Sequence, residues 1–76
     1  MVIRVEVRLF AHFRQGRKKA QIMDVEEGTI ISDVLKALNI DEDEVAIMLL
    51  NGRDGPADRE LKDGDVVSIF PPIGGG

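Results

Sequence analysis

Seventy-six residues fit one domain, and a chain this short buries only about 60% of the surface it exposes when unfolded, which excludes a large internal active site. The formal net charge of -4, from 10 Lys and Arg against 14 Asp and Glu, argues against direct nucleic-acid binding and favours a basic surface on a protein partner. With no cysteine there is no disulfide framework, thiol nucleophile or cysteine metal cluster, so stability has to come from packing of the 43% hydrophobic content.

Val2 to Phe10 alternates, with Ile3, Val5, Val7 and Leu9 on one face and Arg4, Glu6 and Arg8 on the other, the period-two pattern of a half-buried strand. Parity puts Phe10 on the polar face. His12 to Lys19 reads as a basic turn region around Gly16, in which Arg14, Arg17, Lys18 and Lys19 are a solvated hairpin loop. His12 has no cysteine or second histidine with which to hold zinc. Ala20 to Val25 returns as a second strand whose inward face stays open between Gln21, Met23 and Val25 and the alternative of Ala20 and Ile22.

Glu26-Glu27-Gly28 closes that strand, and Thr29 is placed to cap a helix through its hydroxyl. Ile31, Val34, Leu35 and Leu38 fall at i, i+3, i+4 and i+7, predicting a helix that ends near Asn39 with one apolar stripe against a sheet. Asp41 to Glu44 lacks the alternate-residue spacing and turn glycine of a calcium loop and reads as a solvated connector. Val45 to Leu50 is apolar on both faces. Asn51-Gly52 signals a tight turn, Asp54 to Glu60 a loop, and Leu61 a core plug before the Asp63-Gly64 turn. Val66 to Phe70 is the last strand, with Val67 and Ile69 inward.

Strand, strand, helix, strand, strand in so small a chain predicts an α+β fold with one helix across a mixed sheet of four to five strands. Phe10 and Phe70, joined by Met48, are then expected on the sheet face away from the helix, where an apolar group calls for a covering partner. No apolar run approaches the roughly 20 residues of a membrane span and no charged leader precedes Val2, so the chain is expected in the cytoplasm with no membrane partner. No catalytic triad, phosphate-binding loop or paired acid and base emerges, and no metal site.

The sequence closes on Phe70-Pro71-Pro72-Ile73-Gly74-Gly75-Gly76. Proline cannot donate to a sheet ladder and favours an extended helix without internal hydrogen bonds, so a folded domain over 1–70 should give way to a thin tail over 71–76. That tail reaches about 20 Å when extended. Glycines without a Cβ can lie in a channel too narrow for other residues, which makes the end of such a tail a candidate reagent in a partner's active site.

Leu61 through Gly76, with its Asp63-Gly64-Asp65 turn, Phe-Pro-Pro and glycine end, resembles the ThiS/MoaD family of ubiquitin-like sulfur carriers, and within it the small subunit of molybdopterin synthase. Thr29 before the helix, Leu50-Asn51-Gly52-Arg53 and Phe10-Ala11 extend the resemblance over essentially the whole chain. The resemblance implies a β-grasp fold in which the first and last strands lie side by side and parallel at the sheet centre. It also implies chemistry at Gly76, with Gly75 beside it. A ubiquitin-activating-type adenylyltransferase uses ATP to turn the Gly76 carboxylate into an acyl-adenylate, and a sulfur donor makes a thiocarboxylate. The chain itself would bind no cofactor. Phe10, Met48, Phe70, Pro71, Pro72, Ile73 and Gly74 would contact partners, which the resemblance gives as that adenylyltransferase and the large synthase subunit or another acceptor enzyme. Asp54 stands where the synthase small subunit tends to carry an apolar contact residue, a departure that leaves other acceptors open: thiamine synthesis, transfer-RNA thiolation, or lysines of proteins to which Gly76 is conjugated. A plain interaction domain is a further alternative.

Overall fold

In the computed structural model, which describes residues 1–72, the alternating segments become strands β1 (Val2–Leu9), β2 (Ala20–Glu26), β3 (Ile47–Leu50), β4 (Arg53–Asp54) and β5 (Val66–Phe70), with one helix, α1 (Ile31–Ala37). The sheet order is β2-β1-β5-β3-β4. β1 and β5 pair in parallel and every other pair is antiparallel, so the first and last strands share the centre of a mixed sheet. This is the β-grasp, ubiquitin-like arrangement.

One face of the sheet carries the core. Ile3, Val5, Val7 and Leu9 from β1 and Val67 and Ile69 from β5 pack with Ile31, Val34 and Leu35 of α1 and with Leu61, all buried. The open question in β2 resolves toward Met23 and Val25, which pack against this cluster, while Ile22 points to the other face and is 56% exposed.

The ends of α1 depart from expectation. Thr29 is not the cap: Ile30 holds that position in an extended conformation, and the Asp33 carboxylate accepts from the Ile30 N–H at 3.2 Å. The next two amides, those of Ile31 and Ser32, donate to the carbonyls of Arg59 and Ala57 at 3.2 and 2.9 Å. A loop distant in sequence thus satisfies donors that a threonine hydroxyl would otherwise meet. At the other end Asn39 adopts φ 62°, and the Asn39 and Ile40 amides donate back to the Lys36 and Leu35 carbonyls, a left-handed helix stop that buries Ile40. Arg17, expected in a solvated loop, instead reaches this stop and donates to the carbonyls of Leu38 and Asn39.

Asn51 and Gly52 both have positive φ, 53° and 84°, the turn that matches the twist of a two-residue hairpin, and it adds the short β4 not expected from sequence. Beyond it Arg59 organises the loop by donating to the carbonyls of Arg53, Gly55, Pro56 and Met48. A Cβ on Gly55 would stand 3.0 Å from the Arg59 Cζ, so a larger residue there would require the guanidinium to shift by a few tenths of an ångström.

Candidate functional site at the end of the last strand

Register determines what gathers where β5 ends. Leu9 lies level with Ile69 in the parallel β1–β5 pair, so the residues that follow, Phe10 and Phe70, emerge side by side on the face away from α1. Their rings stack with centroids 4.2 Å apart and planes 10° apart, and each is half-buried.

Local backbone geometry keeps Phe10 outside. Phe10 is extended, Ala11 turns through a left-handed φ of 55°, and the short 3-10 turn Ala11–Arg14 then sends Phe13 into the core. Arg14 braces the outward ring: its Cζ sits 5.2 Å from the Phe10 centroid, within cation–π range, and its Nε donates to the Leu9 carbonyl at 2.8 Å.

β3 completes the surface, though not with the residue expected. Ile47 lies opposite Phe70 and Met48 opposite Ile69, and directly paired residues share a sheet face. Met48 therefore turns inward against the core cluster, which corrects its expected place beside the two phenylalanines. Ile47, 44% exposed, stands there instead, and the Ala46 amide donates to the Phe70 carbonyl at 2.9 Å. The physical reason is that a segment apolar on both faces carries no parity of its own. Pairing through Asn51-Gly52 offered a usable signal, because it sets Leu49 opposite Asp54, a carboxylate unsuited to the core, and so assigns Leu49 and Ile47 to the open face.

Pro71 is buried and Pro72 exposed at the exit of β5. The structure thus brings Phe10, Phe70 and Pro71 to one end of the sheet and adds Ile47 and Arg14, which sequence reasoning missed. For Arg14 no sequence signal separated a ring-bracing arginine from a solvated one. The roles given to Ile73, Gly74, Gly75 and Gly76, and the reach of the tail, lie outside the described residues.

A small apolar platform of Phe10, Phe70 and Ile47 thus stands where the chain leaves β5 through Pro71 and Pro72. A family model described as the ThiS family matches residues 7–76. The chain belongs to the ThiS family. This ThiS-family protein is 35% identical to small archaeal modifier protein 3 of Haloferax volcanii, over 95% of this chain and 98% of that one. Among solved structures it is similar to a Pyrococcus furiosus protein named for subunit 1 of molybdopterin converting factor (TM-score 0.76, 34% identity, 93% of this chain and 99% of that one). It is also similar to a chain in the Helicobacter pylori complex of subunits 1 and 2 of that factor (TM-score 0.65, 26% identity, 97% and 100%). ThiS-family membership thus joins sulfur carriers and protein modifiers on one fold.

Proposed function

We propose that this chain is a sulfur carrier that delivers thiocarboxylate sulfur to the dithiolene of the pterin cofactor used for molybdenum or tungsten, as the small subunit of molybdopterin synthase. The observation that carries the reading is the Phe10–Phe70 stack, half-covered at the sheet end from which the Pro71-Pro72 segment departs. Apolar rings so placed, with Ile47 beside them, give a partner enzyme an anchor that sets the direction of the tail. The complex of subunits 1 and 2 from Helicobacter pylori supports a partner of the acceptor-enzyme kind.

The chemistry needs outside reagents. A carboxylate is a poor electrophile, so an adenylyltransferase first joins the Gly76 carboxylate to AMP from ATP, releasing pyrophosphate. A persulfide sulfur then attacks the carbonyl and AMP leaves, and a thiol that cleaves the remaining S–S bond frees the thiocarboxylate. This chain has no cysteine, so both sulfur reagents belong to partners in the cytoplasm. The chain is the substrate and subunit in this scheme, not a stand-alone enzyme, and binds no cofactor itself. Residues 71–76 act as the reactive tail and 1–70 as the docking domain.

A second reading, conjugation of Gly76 to protein lysines, is favoured by the identity to small archaeal modifier protein 3. Intact-mass spectrometry after incubation with the adenylyltransferase, ATP and a sulfur donor tests the first reading. The mass should rise by the difference between sulfur and oxygen, and deleting Gly75 and Gly76 should abolish the rise while leaving the fold unchanged. A truncated chain that still forms a thiocarboxylate would overturn it. Abundant activator-dependent lysine adducts bearing the Ile73–Gly76 remnant, with pterin synthesis intact when the chain is deleted, would establish the modifier instead.

A further inference from the structure

The two edges of the sheet are finished differently. β4 is two residues long, and beyond it Arg59 occupies edge carbonyls, donating to Met48 at 2.8 Å and to Arg53 at 2.6 Å. Among the described residues β2, seven residues long, pairs with β1 on one side only. Its pairing with β1 is unbroken from Ala20 to Glu26 and continues through the Leu9 amide to the Lys19 carbonyl and the Glu27 amide to the Met1 carbonyl, both 2.8 Å. Odd-numbered residues of β2 therefore bond to β1. By the alternation of an antiparallel ladder, the main-chain groups of Ala20, Ile22, Asp24 and Glu26 point outward. Edges of this kind are usually blunted by proline, a bulge or a covering segment, and β2 contains neither proline nor bulge.

The edge is also complementary to its own reverse. Lys18 and Lys19 precede it, Asp24, Glu26 and Glu27 lie at its far end, and Ile22, 56% exposed, sits at its middle. We propose that a second copy of this chain adds to the β2 edge, antiparallel about a twofold axis at Ile22, so that the two sheets run on as one. This register sets Ile22 against Ile22 of the copy, Ala20 against Asp24, and Lys18 against Glu26, each heterologous pair occurring twice as twofold symmetry requires. Asp24 is already met by the Arg4 Nε at 3.2 Å, so it faces alanine without an uncompensated charge. Glu26 has the N-terminal amine 3.8 Å away, an exposed partner that leaves its carboxylate able to turn to Lys18.

Strand addition along one edge covers far less than the roughly 1,200 Å² of a standard stable interface, and the charge of -4 on each copy opposes it, so the dimer forms at high local concentration only. β1 separates β2 from β5, so the Phe70 end of each copy stays open to other proteins. The β2 edge and the Phe70 end of β5 are separated by β1, so dimerisation and sulfur carriage can fail independently.

Amide NMR on the whole chain from micromolar to millimolar concentration tests it, with sedimentation for mass. Shifts and slowed exchange should concentrate at Ala20, Ile22, Asp24 and Glu26. Lys18→Glu or Glu26→Lys alone should weaken dimerisation about tenfold, because each removes two cross-strand pairs, and the double exchange should restore it. A chain that stays monomeric at millimolar concentration overturns the proposal. So does a double exchange that fails to restore the dimer, or edge shifts that arise only on adding the adenylyltransferase, which would give the edge to a strand of another protein.

Discussion

The two ends of the central β1–β5 pair are built on opposite principles. Where β5 begins, polar groups tie it down: Asp63 accepts from the Arg4 amide at 2.8 Å, Asp65 accepts from the Lys62 amide at 2.7 Å and from the Asn51 side chain at 2.9 Å, and Asn51 accepts from the Val66 amide at 2.9 Å. Where β5 ends, stacked rings remain half in solvent beside Ile47. Satisfied hydrogen bonds at one end hold the strand in register. At the other end the apolar surface is incompletely covered, and on the proposed function this is where a partner would gain binding energy.

The sharpest way to break this contrast is Phe70→Ala. It should weaken binding to the partner enzyme by about 2 kcal/mol or more, roughly thirtyfold in affinity, while costing folding less, as calorimetric titration and denaturant unfolding of the same variant would show. A variant that unfolds with no separate binding defect would move Phe70 into the core. The next largest effect is expected at the other end, where Asp65→Ala should cost about 1–2 kcal/mol of folding stability and leave partner affinity unchanged, because two donors lose their acceptor far from the rings. A binding defect there at unchanged stability would mean that the tied end also docks. Smallest is Ala11→Gly, which relieves a left-handed conformation worth about 1–2 kcal/mol but adds chain entropy to the unfolded state, for a net gain of about 0.5 kcal/mol in thermal unfolding. A loss would show that the Ala11 methyl makes contacts that outweigh its backbone strain.

Legibility in the sequence followed the same contrast. β1 was readable because its charges alternate strictly with its apolar residues, and Val67, Ile69 and Leu61 fell inward as their parity and position implied. From β1 and β5 alone, Phe10 and Phe70 could be placed on one face. β3 could not be oriented, because Ile47 through Leu50 would suit either side of a sheet, and so Met48 was expected where Ile47 stands. The capping error at Thr29 has a different cause: the amides of Ile31 and Ser32 are met by Arg59 and Ala57, contacts that no local window contains. Arg14, Arg17 and Arg59 share a third cause. A long cationic side chain looks the same in sequence whether it trails in water or reaches main-chain carbonyls, and here all three donate to carbonyls while Arg14 also covers the Phe10 ring.

The parallel pairing of β1 with β5 also has a bearing on biosynthesis. β5 lies between β1 and β3, so a chain emerging from the ribosome can form the β1–β2 hairpin and α1 early but has no partner for the inner side of β1 until Val66–Phe70 has cleared the exit tunnel. Contacts between segments so far apart in sequence close slowly and late. Folding is therefore completed only after translation has passed the Phe70 platform, and an unfinished or truncated chain cannot display that platform to a partner. On the proposed function, the surface that docks is therefore the last part of the fold to be completed.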